Sequence, residues 1–527
     1  MSDTVYGIDL GTTYSALARI NELGQAEVVP NFEGEPATPS VVYFEGERNV
    51  VVGAEAKRTL LSDPDNACAL VKRHMGTEHP LEFQGRSHGP ESISALILGE
   101  LVRTANNSTG SQVDKVVITV PAYFGIQARE ATRQAGAIAG LEVVGIVTEP
   151  VAAALSAVRG EQQQTVLIYD LGGGTFDTTV LQIGPGEADV IAIDGNRLLG
   201  GADWDLALVD LIIRKFSEQS GASAEDAHDN DLFMAEVRGS AEETKKALTR
   251  REQTTVRCRL GQWDEQVVVT RAEFEQATRD LVTQTLDISQ RVVAKAQEKR
   301  PGLTIDQVLL VGGSSRMPMI GAALRDQLGW TPVDTDFDLA VAKGAAIYGQ
   351  AALEEVLTTD ADEPAEVPAD APARPYLRGA RSLNVSNVLS RGLGVYLIDS
   401  QTDEPMIEFL VHANDSLPAT PPTLPARTRV AQQPSVRVRL FEQVGERESR
   451  VPGENRELKA QELPLPPMDA GAPIEITLEV TSEGLARVQA FDPTNGGRID
   501  FEVLVAQLDQ EQVDKFTEEH DAITLRS

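Results

Sequence analysis

A chain of 527 residues is too long for a single apolar core, so two or more domains are expected. Its 80 acidic against 47 basic residues give a net charge of −33, which excludes generic attachment to nucleic acid or anionic membrane, since both need basic surface. The two cysteines, Cys68 and Cys258, lie far apart without a nearby second ligand; that excludes a zinc cluster, disfavours a disulfide and reads as two inert buried thiols.

The opening MSDTVYGIDL carries no basic region ahead of an apolar stretch, and no run approaches the ~18 apolar residues of a membrane span. The chain is therefore expected to remain in the cytoplasm. Residues 1–356 alternate apolar strand-like runs with amphipathic helical stretches, the mark of an α/β domain. KVVITVPAYF (115–124) and TVLIYDLG (165–172) read as buried strands, and IQAREATRQAGAIAG (126–140) and VAAALSAVRG (151–160) as helices ending in glycine. VLLVGGSSRMPMIGAALRDQLG (308–329) reads as a strand, a Gly-Gly turn and a helix whose first turn carries Ser314 and Ser315.

From 358 to 375 the composition turns acidic and rich in Ala and Pro; such a stretch cannot offset its ordering entropy and reads as a solvated tether, within a linker region 357–387. After about 383 come short alternating strands, SVRVRLFEQ (435–443) and PIEITLEVTS (473–482) among them, and a hairpin signal at Asn495-Gly496. Residues 388–507 are thus expected to form an all-β domain. The polar tail, 508–527, has room for a few helical turns and is too short for a helical bundle.

An internal echo points to chemistry. Tyr6-Gly-Ile-Asp-Leu-Gly-Thr-Thr and Ile168-Tyr-Asp-Leu-Gly-Gly-Gly-Thr each place Asp at a strand end, then Leu, glycine and threonine. A nucleoside triphosphate needs backbone N–H groups at close range, which only small residues permit, and its magnesium needs carboxylates acting with retained water. Gly11, Thr12 and Thr13 can supply one loop, and Gly172, Gly173, Gly174 and Thr175 the other. Asp9, Asp170 and Asp177 stand at the strand ends. One such loop alone is usually an ordinary turn; two in mirrored positions suggest related halves facing across a cleft.

The motifs GIDLGTTYS, VPAYF, TEPVAAAL, YDLGGGTFD, LLGGADWD and VLLVGGSSRMP closely resemble the heat-shock seventy (DnaK-type) chaperones, strongly over 4–355 and more weakly over 383–507. The resemblance implies an actin-like ATPase domain of two lobes with duplicated ribonuclease-H-like cores, followed by a β-sandwich that binds extended, unfolded peptide segments. It further implies ATP and ADP as nucleotides, Mg2+ with accompanying K+, and a J-domain co-chaperone and a nucleotide-exchange factor as partners. On that basis Lys72 reaches the γ-phosphate, Glu149 and Asp170 position the water, and Asp9, Asp170 and Asp177 form the outer shell of the metal. Thr12, Thr13 and Thr175 contact phosphate beside Tyr14. Glu242, Lys245, Lys246, Gly312, Gly313, Ser314, Arg316 and Asp338 resemble the adenosine-binding group.

Three departures stand out. Thr148-Glu149-Pro150-Val151 occurs where these chaperones usually read Asn-Glu-Pro-Thr, and a helical lid is missing from the pattern. The linker LNVSNVLSRG carries Asn387 where an aspartate is usual, which leaves its docking onto the ATPase domain open. In the β-domain, Met406, Ile407, Phe409 and Val411 fall in the peptide-contacting region, although as strand residues they suit core packing better. Beside an ATP-driven chaperone, an ATP-binding regulatory protein that uses the β-domain for docking therefore stays open; a small-molecule kinase of the same fold leaves that domain without a role.

Overall fold

The computed structural model describes residues 4–60, 62–158, 162–337, 339–359, 383–445, 447–481, 484–503, 508 and 510–526. Gly160, Asp338 and the acidic tether from 360 onward lie outside them.

Two sheets repeat one plan. In the first, Val5–Asp9 runs antiparallel to Tyr14–Ile20, which pairs with Ala26–Val29; on its other side it runs parallel to Lys115–Val120, followed by Glu142–Thr148. In the second, Gln164–Leu171 runs antiparallel to Phe176–Gly184 and thence to Glu187–Asn196, and parallel to Gln307–Val311, followed by Pro332–Asp334. The central parallel strands are largely apolar because helices cover both their faces: Val116, Val117, Ile118 and Val120 are buried on either side of a buried Thr119, as are Val166, Leu167 and Ile168.

Small residues bring the halves together. Helix Ala340–Thr359 lies against the first strand so closely that a side chain on Gly7 would meet the amide of Ala346 at 2.1 Å. One on Gly344 would lie 1.7 Å from the carbonyl oxygen of Ala152 on helix Glu149–Ala157. Cys68 and Cys258 are both buried and unpaired, and burial pushes each thiol up to about 11.

The later strands form two four-stranded antiparallel sheets. One runs Pro405–Val411, Leu393–Ile398, Ser435–Gln443, Asn455–Pro464; the other Leu424–Arg427, Pro473–Val480, Ala486–Phe491, Arg498–Val503. Leu393, Val438 and Leu440 of the first share a core with Ile476, Leu478, Val488 and Phe501 of the second, the inward residues of each alternating strand. The hairpin at Asn495-Gly496 forms as expected: Gly496 takes a positive φ of 79°, and Asp492 accepts from the amides of Thr494 and Asn495.

Three readings change. Ser314 and Ser315 sit in a separate turn, Gly313–Arg316, and the helix proper is Pro318–Leu328; Pro318 lacks an N–H and is suited to the first helical position, so the preceding turn closes on its own. The linker does dock. Asn384–Ser386 adds a sixth, parallel strand to the second sheet, pairing with Glu187, Ala188 and Asp189. Lastly, the tail forms the few helical turns expected of it, Gln510–Asp521, but then adds a strand that was not expected, Thr524–Arg526, which pairs with Asn49–Val52 of the first half. No helix among the described residues is long and apolar enough to cross a membrane.

Candidate functional site

The duplicated plan sets the two glycine loops face to face. Residues 11–13 link the first antiparallel pair and 172–175 the second. A side chain on Gly173 would lie 2.4 Å from Thr13 Cγ2, and one on Gly174 would lie 2.8 Å from Thr12 Cγ2, so only glycine lets the loops abut. The first loop is braced from behind: the Gly11 amide donates to Ser15 Oγ at 3.1 Å, and Ser40 Oγ donates to the Gly11 carbonyl at 2.8 Å. The second is braced by helix Gly201–Ser220, whose Gly201 and Ala202 amides donate to the carbonyls of Gly172 and Gly173.

Behind the loops lies a cluster of buried charge. Lys72 Nζ donates to Glu149 Oε1, and both residues are buried. Asp177, only 3 % exposed, stands directly across the strand pair from Asp170. Burial, then the charges of Glu149 and Asp170, push its carboxyl well above the usual range, with Lys72 opposing. Its Oδ1 is buried without a hydrogen-bond partner. An anionic oxygen in that position is stabilised by a cation, and it fits the magnesium expected there. Among the described residues no three carboxylate, His or Cys groups converge as a direct ligand set. Asp9 stands on the facing strand, where its Oδ1 accepts from Thr119 Oγ1 at 3.1 Å.

A second group spans the cleft mouth. Lys57, on helix Ala54–Thr59 of the first half, reaches Glu242 of the second at 2.6 Å and donates to Tyr14 Oη at 2.9 Å. Lys246 joins the same carboxylate at 3.0 Å. Burial alone would raise Glu242; the two lysines override it and hold the carboxyl at about 2. Deeper in, Lys245 Nζ donates at 2.8 Å to the Gly201 carbonyl and to Asp205. Ser314 crowds Gly201, where a side chain would lie 2.3 Å from its Oγ. Gly312 has φ 80° and sits against Asp170 Oδ1, and the Arg316 guanidinium lies 4.6 Å from the Phe337 ring centre.

The expected residues thus gather into three neighbouring groups. Lys72, Glu149, Asp170 and Asp177 form the first and Tyr14, Glu242 and Lys246 the second; Lys245 and Ser314 form the third. Two members escaped sequence reasoning. Lys57 sits in an unremarkable AEAKRT helix with no motif to flag it. Arg73 follows Lys72 directly, and that adjacency was its only signal; its Nη2 donates to the Gly174 carbonyl at 2.6 Å.

Glycine loops offering amides, a lysine and unpaired carboxylate oxygen behind them, and a cleft closed by charge define a protein suited to a polyphosphate held with a cation. The family model described as Hsp70 protein matches residues 5–81 and 78–362. Two chaperone proteins DnaK, from Halobacterium salinarum strains R1 and NRC-1, are each 35 % identical over 534 residues, covering 99 % of this chain and 78 % of the relative. The chain belongs to the Hsp70 family.

Proposed function

We infer that this Hsp70-family chain is an ATP-dependent chaperone that hydrolyses ATP to ADP. Its actin-like two-lobed domain, residues 1–356, is the ATPase, and its β-sandwich, 388–507, holds extended peptide. The observation that carries the assignment is the pair of abutting glycine loops backed by Lys72, Glu149 and the unpartnered oxygen of Asp177.

Phosphoryl transfer to water asks for alignment and charge neutralisation more than for covalent help. Loop amides at 12–13 and 173–175 hold the phosphate oxygens, with Thr12, Thr13 and Thr175 adding hydroxyls, while the amides of Gly11 and Gly172 are engaged by Ser15 Oγ and the Thr175 carbonyl and brace the loops. Lys72 neutralises the transferring phosphoryl group and, with Glu149 and Asp170, fixes the attacking water, one carboxylate taking its proton. Asp9, Asp170 and Asp177 would hold magnesium, which would supply further charge neutralisation. Tyr14, Glu242, Lys245, Lys246, Gly312, Gly313, Ser314, Arg316 and Asp338 form the adenosine side.

On the sandwich, Ile407 and Val411 are buried while Met406 and Phe409 are half-buried, so the latter two are the better candidates to meet a peptide side chain. Docking of Asn384–Ser386 on the second sheet supplies a route for coupling the two activities. A J-domain co-chaperone and an exchange factor are the partners this cycle would use. The deciding experiment measures affinity for a fluorescent peptide in ATP and in ADP, with steady-state turnover beside it. Equal affinities and no peptide effect on turnover would leave only a nucleotide-bound docking protein.

A further inference from the structure

We propose that residues 510–526 are an intramolecular latch: their terminal strand fills a strand-addition edge on the first α/β half and thereby holds the β-sandwich against it. Without Thr524–Arg526, the strand Asn49–Val52 would be the edge of its sheet, with a row of unpaired backbone groups. The tail completes that edge in parallel register, Thr524 with Asn49 and Leu525 with Val50, and the Thr524 amide donates to the Arg48 carbonyl at 2.8 Å.

Side chains support the backbone pairing. Ile523 and Leu525 pack on the core that contains Val50 and Val52. Val513, on the tail helix, is buried with Ala95 and Ile138. Gly99 leaves the space that His520 enters; a side chain there would lie 2.9 Å from its Nε2. At the near end Gln134 Nε2 donates to the Leu508 carbonyl at 2.7 Å, and at the far end Arg526 pairs with Glu45 at 2.7 Å.

The consequence for the sandwich follows from chain length. Between Val503, which ends its last strand, and Gln510, which begins the tail helix, lie six residues, 504–509. Fully extended, that connection spans about 25 Å. At its other end the sandwich is joined through Asn384–Ser386 to the second half. On the first half the latch therefore adds to the direct contacts of Glu442 and Arg456 with Ile126 and Gln127, and once those contacts part, the sandwich can move away no further than the 504–509 connection reaches unless the latch releases. Three paired residues, two of them exposed, make a contact that a competing strand can displace.

The test uses the full chain carrying Ile523→Asp and Leu525→Asp, with fluorophores on Leu23→Cys and Val451→Cys, exposed sites on the first half and the sandwich. Backbone hydrogen exchange at Asn49–Val52 should quicken by at least about tenfold as an edge is exposed, and the distance between labels should lengthen. A synthetic peptide of residues 508–527 should reverse the exchange change. A second variant lengthens the 504–509 connection by about twenty Gly/Ser residues; it should lengthen the label distance while exchange stays slow. Unchanged exchange in the first variant, or an unchanged label distance in either, overturns the proposal. Neither readout depends on turnover or peptide binding, so a failure here is distinct from a failure of the chaperone reading.

Discussion

The nucleotide cleft and the seam between the α/β halves and the sandwich are both built from buried charge, but they dispose of it differently. In the cleft, Lys72 answers Glu149 and nothing among the described residues answers Asp177 Oδ1. In the seam, Glu442 is also buried, yet Arg391 and Arg456 offset its charge, and the Ile126 amide donates to it at 3.4 Å. Arg456 in turn donates to Gln127 Oε1 at 2.8 Å. A buried charge without a partner is costly. The cleft is therefore a site that is incomplete without its ligand, whereas the seam completes itself. Binding should change the first much more than the second.

The hardest way to break that contrast is Lys72→Ala. It removes the cation that pairs with Glu149 in the buried cluster, and turnover should fall by about 10²- to 10³-fold with nucleotide affinity far less affected; single-turnover kinetics beside calorimetry separate the two. If both fall together, the lysine serves binding alone.

Asp177→Asn comes next. Because burial and the charges of Glu149 and Asp170 raise its carboxyl, Asp177 favours stability that is present below the ordinary carboxylate value and lost as pH rises through the raised one. The variant should therefore stabilise the nucleotide-free chain at pH above that raised value, by about 1–3 kcal/mol, while weakening the magnesium dependence of ATP binding. Thermal melts with and without magnesium and nucleotide check both halves of the statement.

Glu442→Gln probes the seam. Burial raises this carboxyl too, with the arginines opposing. Docking of the sandwich should thus lose strength as pH climbs from about 4.5 through the raised value. The amide variant should flatten that dependence, read as the pH profile of hydrogen exchange at Ile126 and Gln127. The smallest effect is expected of Lys57→Ala. Its pairing with Glu242 spans a solvent-accessible cleft mouth, and loss of about 0.4–1 kcal/mol would speed nucleotide release by about two- to fivefold.

The same contrast governs what could be read in advance. The cleft was legible because close backbone approach demands glycine, and glycine leaves a mark: YGIDLGTT and YDLGGGT announced two loops, and the loops abut. Lys57 left none, since a lysine on a short helix looks like any surface charge. The seam and latch were less visible. Asn387 drew attention as a departure, but parallel strand addition at Asn384–Ser386 uses backbone groups that every residue carries. Likewise, ITLRS reads as a polar end until Asn49–Val52 supplies an edge for it. Strand partners distant in sequence are set by the fold, not by local pattern.

Gly125 carries one last consequence. Its backbone angles, φ −70° and ψ −178°, are open to any amino acid, so glycine is not there for conformation. It is there for width: a methyl group would lie 2.2 Å from Glu442 Oε1. The position works as a keyhole through which the carboxylate reaches the first turn of helix Ile126–Ile138. Alanine there would leave the α/β half able to fold while wedging its neighbour outward.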